Sequence, residues 1–468
     1  MTLRSVFQAI DGIKLLAWVK LVIKPVKTSF AIQSNLFLLA AIFLVSIPAL
    51  AQFTFTTNNG AITITGYTGS GGNVIIPSTT NGYPVTTIGT GAFSNNTSVT
   101  SVTIPNTVTN GGDYAFCSCS KLTSATINSR ITGRREFQFC NNLANVVIST
   151  NVTVIADECF EFGNSLTNIV IPNSVTNIGL NVFYADYGIK SILIGTNVTV
   201  IGGGAFEICG MTNITIPASV NSIGSVAFAA CKNLTAINVD PNNPLYESVN
   251  GVLFTKDLTQ LLAFPSGIAG SYTIPNRTVR IDDSAFCNCS GLTSVIFPNS
   301  VTSISAAFYY CQGLTSVTIP GSVTSIEQFA FSICTNLHQA FFQGNAPSVS
   351  ATGGPGNPDN TVFWGESGTV YYVPGTTGWS TNFGGWPTAQ WYQPQPQIFG
   401  SGNGLGLRSN GFQFTISWAT NTAVVVEAST NLQNWTPVIT NLLVNGTNAF
   451  GDSTWTNYPQ RFYRVRSQ

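Results

Sequence analysis

From Phe53 to Phe342 the apolar residues fall into one phrase that recurs with small variations. In Leu314-Thr315-Ser316-Val317-Thr318-Ile319 they stand at the first, fourth and sixth places, with hydroxyl residues between them. β-Branched residues alternating with threonine predict a short strand with one buried and one solvent-facing side. Proline follows it in many copies (Pro105, Pro172, Pro217, Pro298, Pro320) and ends the strand, because it has no N–H to give to a ladder. A second run, Val323-Thr324-Ser325-Ile326 in the same copy, predicts another short strand. Glycine after that run (Gly89, Gly179, Gly202, Gly224) opens the next corner. An alanine–phenylalanine pair then follows, and it is expected to plug the interior from a short helical turn or bend.

The phenylalanines set the register: Phe93, Phe116, Phe137, Phe160, Phe183, Phe206, Phe228, Phe286, Phe308 and Phe331. Neighbours are 21 to 23 residues apart, except for a step of 58 between Phe228 and Phe286. A period of that size carried by apolar residues is the mark of a solenoid. One unit cannot bury its own apolar side and must stack on its copies. The predicted fold is mainly a β solenoid of about ten such units, followed by a small β-sandwich-like domain. Within the long step, Asn250-Gly251 lies between Tyr246-Glu247-Ser248-Val249 and Val252-Leu253-Phe254, a strong hairpin signal. It reads as hairpin strands that continue the solenoid, not as an inserted domain.

The phrase Ile-Pro-x-Ser-Val-Thr-x-Ile-Gly-x-x-Ala-Phe-x-x-Cys-x-x-Leu-Thr, seen at Ile171 to Phe183 and at Ile319 to Leu337, resembles the BspA-like family of bacterial leucine-rich repeats. The resemblance covers about Phe53 to Phe342. It implies a repeat solenoid of the kind found on bacterial surface antigens, and by analogy adhesion. The hairpin segment is a common feature of that family.

Charge narrows the function. Charged residues are 8% of the chain, against about a quarter in ordinary soluble proteins. Eighteen Lys+Arg balance eighteen Asp+Glu, so the basic footprint that nucleic acid requires is missing. The 44% hydrophobic content, in register, argues against disorder. Residues 1–51 read as a signal peptide: Arg4, Lys14, Lys20, Lys24 and Lys27 precede the apolar run Leu36 to Ile47 and the segment Pro48-Ala49-Leu50-Ala51. The run is too short to span a bilayer, so no membrane span is expected after cleavage, and the protein is expected to be secreted or on the cell surface of a bacterium.

Residues 52–343 form the expected solenoid and 344–397 an aromatic, Gly-rich cap and linker. A cap is required to cover the last coil and its strand edges. The competing reading is a carbohydrate platform of Trp379, Trp386, Trp391 and Tyr392. Residues 398–468 are the C-terminal module, with β-like runs at 412–418, 423–428, 435–439, 450–455 and 461–466. Its ending, Arg461-Phe462-Tyr463-Arg464-Val465-Arg466, resembles fibronectin-like modules appended to many secreted bacterial proteins.

Chemistry is sparse. Seven cysteines stand three residues after the register phenylalanine: Cys119, Cys140, Cys209, Cys231, Cys289, Cys311 and Cys334. Parallel stacking at ~4.8 Å sets them wider than the usual Cβ spacing of a disulfide, so a buried ladder of thiols is expected. A bridge involving Cys117, Cys159 or Cys287 stays open. The only histidine, His338, reads as a rim residue. The C-x-C pairs Cys117/Cys119 and Cys287/Cys289 do not fit the usual zinc spacing. Two sets of carboxylates, Asp157/Glu158/Glu161 and Asp282/Asp283, sit at the same corner but five steps apart. No cofactor, metal or catalytic residue is expected.

What remains is a surface. The alternate positions of the first strand are Thr103, Thr126, Val147, Val170, Thr215, Ile296, Thr318 and Phe341, beside Ser101, Ser124, Asn145, Asn168, Ser294 and Ser316. The candidate binding residues are Thr103, Thr126, Asn145, Asn168, Thr215, Ser294, Ser316 and Thr318. The expected function is non-enzymatic binding of a protein or glycan at a cell surface. The alternative is an extracellular scaffold without a specific ligand, and a distant third is carbohydrate-active catalysis.

Overall fold

A computed structural model describes residues 52–350, 361–391, 397–399, 406–408, 411–418, 422–444 and 446–467. The leader reading, Tyr392 and the linker residues Gln393 to Pro396 lie outside the described residues. From residue 62 to 349 the chain winds through about 13 turns of an all-β solenoid. No α-helix occurs among the described residues.

Two files of parallel strands run along the array. The first takes the leucine-type run of each coil. Val99–Ile104, Ser124–Ile127 and Asn145–Ile148 pair in register, with Val102 opposite Ala125 and Ile104 opposite Ile127. Later coils repeat this in Asn168–Val170 with Ser191–Leu193 and in Ser316–Ile319 with Gln339–Phe342. The second file holds the short Val-x-x-Ile strands, such as Val154–Ile155, Asn177–Ile178, Val200–Ile201 and Ser222–Ile223. In-register stacking keeps each coil's apolar side above that of its neighbour.

Of the two forms expected for the phenylalanine corner, a helical turn or a bend, it takes the second. Its backbone alternates between ordinary and left-handed residues: Glu158 and Phe162, two before and two after Phe160, have φ of 58° and 61°. This geometry turns every second N–H along the array. Glu158, Phe160 and Phe162 donate to the carbonyls of Leu180, Val182 and Tyr184 in the next coil, at 2.7, 2.9 and 2.9 Å. A helix would have spent those donors within the coil. Left-handed backbone is unfavourable for bulky L-residues, and the inter-coil bonds offset that cost.

Inside the corner the rings stack in a column. Phe93, Phe116, Phe137, Phe160, Phe183, Phe206 and Phe228 follow one another at 4.6 to 5.9 Å, with Tyr67 on the first at 5.2 Å. A second column runs through Phe264, Phe286, Phe308, Phe331 and Phe363 to Trp386. Between the columns lies the long step. Tyr246–Val249 and Val252–Thr255 form an antiparallel hairpin around Asn250 and Gly251, whose φ of 53° and 81° suit the two-residue turn. Val252–Thr255 then pairs with Gln260–Ala263, which rejoins the second file beside Arg280–Ile281. A cleft of about 30 Å³ remains where the columns meet, lined by Val226, Phe228, Leu253, Phe264 and Asp282 among others.

The thiols are free and hydrogen-bonded. Cys119, Cys140, Cys209, Cys231, Cys311 and Cys334 each donate to the carbonyl of the register phenylalanine one coil earlier, at 3.0 to 3.2 Å. Burial pushes the Cys231 thiol up to about 12, which keeps it protonated and unreactive. Cys159 is buried, and Cys117 and Cys287 are half-buried; all three are free.

At the far end Trp386 is 1% exposed and stacks on Phe363 at 4.1 Å, while Trp379 packs against the same core. Trp386 offers no ring to a sugar, and the platform reading fails for it; Trp379 is half-buried and stacks on Tyr372 at 5.1 Å. Phe329, Phe331 and Ile333 donate to Thr361, Val362 and Trp364, so this segment supplies one more corner.

The C-terminal module consists of small antiparallel sheets. Gly411–Ser417 pairs with Thr447–Asp452, and Thr422–Ser429 pairs with Thr436–Leu443 and Phe462–Ser467. Phe414, Ile416, Val424, Val426, Leu443 and Phe450 form its core. The run expected at 450–455 is displaced toward the N-terminus, because Trp455–Asn457 is a 3₁₀ turn.

Candidate functional site

The first file of strands presents one continuous outer face. Val102 and Ile104 point inward and are buried; period-2 alternation turns the residue between them outward. Register aligns these outward residues across coils: Thr103 with Thr126 and Val147, Val170 with Leu193, Thr318 with Phe341 and Tyr371. Of the candidate residues, Asn145, Asn168, Thr215 and Thr318 are exposed, whereas Thr103, Thr126, Ser294 and Ser316 are half-buried. Thr318→Ala is expected to change stability by less than about 0.5 kcal/mol, as exposed substitutions do; thermal unfolding checks this.

The centre of the face is more apolar than a hydroxyl array. Val147, Val170 and Leu193, on three successive coils, are 57, 60 and 65% exposed. Leu193 escaped the sequence reading because Gly195 replaces the proline that marks the strand end in other copies. Its spacing of 23 from Val170 was the available signal. The polar neighbours are partly used between coils: Ser191 donates to Asn168 at 2.7 Å and Ser101 to Asn73 at 2.6 Å. Toward the cap the face ends in rings, with Phe341 stacked on Tyr371 at 5.1 Å and tilted against Trp391 at 4.7 Å. Between Asn73 and Tyr371 the strand positions aligned with Ser101 and Thr103 carry no charge, and the exposed Lys190 lies at the edge of the file, just before Ser191.

The charges lie at the phenylalanine corner instead. Glu158 pairs with Arg134 at 3.2 Å and with Arg135, Glu161 accepts from Gln138, and Asp282 accepts from Gln260 at 3.0 Å. The coils of Phe183, Phe206, Phe228 and Phe264 separate the two carboxylate sets. Five steps of ~4.8 Å exceed the carboxylate separation that glycoside hydrolysis uses. Sequence reasoning missed two fully buried acids, Glu136 and Asp186. Burial raises both: Glu136 to about 8, and Asp186 well above the usual carboxylate range. Among the described residues no cluster of His, Cys, Asp or Glu could hold a metal ion. His338 is exposed, with Nδ1 3.0 Å from the Ser367 carbonyl oxygen.

Residues 71–188, 155–269 and 263–352 match a family model described as a BspA type leucine rich repeat region. No curated protein matches the chain. Among solved structures, the chain is similar to a leucine rich cell surface protein from Faecalibacterium prausnitzii A2-165. That likeness has 29% identity and a TM-score of 0.55, over 65% of this chain and 94% of the other. A leucine-rich repeat protein from Eubacterium ventriosum ATCC 27560 is 25% identical, with a TM-score of 0.46, over 64% and 72%. The pneumococcal vaccine antigen PcpA is 19% identical, with a TM-score of 0.47, over 68% and 85%.

Proposed function

Since the chain belongs to the BspA type leucine rich repeat family, we propose that it is an exported, non-enzymatic recognition protein that binds a protein partner at the cell surface. The carrying observation is the outer face of the first strand file, with Val147, Val170 and Leu193 at its centre, each more than half exposed. An uncharged strip of aliphatic side chains flanked by hydroxyls and amides suits a protein interface core, where charge is depleted. The cell-surface description of the Faecalibacterium relative supports the location. Residues 344–397 close the array, and residues 398–468 are a separate module.

The test is binding of the full chain to an array of purified extracellular proteins and to intact bacterial and host cells. A saturable partner is expected, and Val170→Asp with Leu193→Asp is expected to weaken it at least about tenfold, the scale of a central interface contact. Binding that survives both substitutions would move the site off this face. No binding to any target would favour the scaffold reading.

A further inference from the structure

The C-terminal module carries two adjoining clefts. The chain leaves Thr447–Asp452, makes the 3₁₀ turn Trp455–Asn457 and passes through Tyr458-Pro459-Gln460-Arg461 into its last strand. An ion pair and a stack hold that segment, and Gln460 donates to the Thr430 carbonyl at 2.9 Å. Arg461 Nη1 is 3.2 Å from Asp452 Oδ2, and the guanidinium lies 4.1 Å from the centre of the Tyr458 ring. The Tyr463 hydroxyl donates to the same carboxylate at 2.6 Å.

The Tyr458–Arg461 stack is shared by both clefts. One, of about 270 Å³, is walled by Phe412, Trp455 and Tyr463, with Gln460 alongside. The other, of about 280 Å³, is lined by Ser429, Thr430, Asn434 and Thr436. Arg461 is the only charged lining residue of either cleft, and Asp452 balances it.

We propose that the paired clefts bind a neutral oligosaccharide lying across the Tyr458–Arg461 stack. Aromatic walls accept the C–H face of one sugar ring, because such side chains join apolar area to a polar tip. Hydroxyls and amides in the adjoining cleft match the hydroxyls of the next ring. Each cleft is just below the range of drug-sized pockets, which suits one ring apiece. An anionic ligand would compete with Asp452 for Arg461, and a cationic one would find no free carboxylate in the lining. In the second cleft Ser429 and Thr436 already donate to Asn431 and to the Ala428 carbonyl, which leaves the exposed Thr430 and Asn434 to meet the ligand's hydroxyls.

The experiment is calorimetric titration of the full chain with β-1,4-linked hexasaccharides of glucose, xylose, mannose and galactose, with hexagalacturonate as the anionic probe. Saturable binding of at least one neutral hexasaccharide is expected, weakened tenfold or more in Trp455→Ala and in Tyr458→Ala. Asn434→Ala, on the exposed rim of the second cleft, should weaken it several-fold and leaves the backbone turn untouched should the aromatic variants misfold. Lys232→Ala, at an exposed position of the solenoid, should leave the affinity unchanged. The proposal is overturned if no neutral probe binds, if hexagalacturonate alone binds, if Tyr458→Ala and Asn434→Ala bind like the parent, or if Lys232→Ala removes binding.

Discussion

Phe308→Ala is expected to lower the unfolding free energy by about 3–5 kcal/mol, the usual cost of truncating a buried phenylalanine. Phe308 is fully buried. Its ring lies 4.5 Å from Phe286 and 5.0 Å from Phe331, with Phe297 edge-on at 5.8 Å. Both neighbours in the column are fixed by their own inter-coil hydrogen bonds, so the corner cannot collapse into the space. Part of the loss is transfer of the ring to water, and the rest is the cavity between two flat partners. Denaturant unfolding measures the change. A loss below 1 kcal/mol would mean that the column fills space without holding the coils together.

Stability is also expected to fall as pH rises from about 4.5 to 8, and Glu136→Gln is expected to flatten that slope. Glu136 takes the place that alanine holds in most copies, one residue before the register phenylalanine, and it is fully buried. Gly111 makes room for it: a Cβ there would stand 2.8 Å from the Glu136 carboxyl. Burial raises the carboxyl to about 8 and Asp113 adds to the rise, opposed by the Gly133 N–H, which donates to Glu136 Oε2 at 2.9 Å. Below about pH 4.5 folded and unfolded chains both hold this proton, and the contribution is complete. Between 4.5 and 8 only the folded chain holds it, so stability declines with pH; above 8 the contribution is lost. At 1.36 kcal/mol per unit the total is on the order of 5 kcal/mol. Asp186, raised by burial, acts in the same direction. Denaturant midpoints measured from pH 4 to 9 check this, and a parent protein with level stability across that range would refute it.

The strands were legible because period and alternation are local facts: the Leu-x-x-Val-x-Ile run, its proline and the Asn250-Gly251 hairpin each carry their own signal. The phenylalanine corner was not. Its left-handed positions hold Phe139, Phe162, Ile208 and Val226, residues whose local preference opposes that backbone, and only bonds to a neighbouring coil explain them. Phe264 was within reach, since Ala263-Phe264 repeats the alanine–phenylalanine pair 22 residues before Phe286. Glu136 and Asp186 were also visible as acids at the alanine and cysteine places of the phrase. Composition gave no warning of them, because an 8% charged chain suggests none inside. Of the candidate face, the alternation showed which residues point outward, but the aliphatic centre emerged only when Leu193 was seen beside Val170.

The meeting of the two ring columns at Phe228 and Phe264 has a mechanical consequence. In a stacked array each coil is held by its immediate neighbours, and unravelling spreads from coil to coil. A run of identical interfaces gives a fraying end no reason to stop. Here the run is broken by an antiparallel hairpin and a small cleft, and the apolar cluster from Val252 to Trp386 is continuous within itself. The hairpin is therefore expected to act as a firebreak: limited proteolysis should cut one half of the solenoid while the other half survives as a folded fragment.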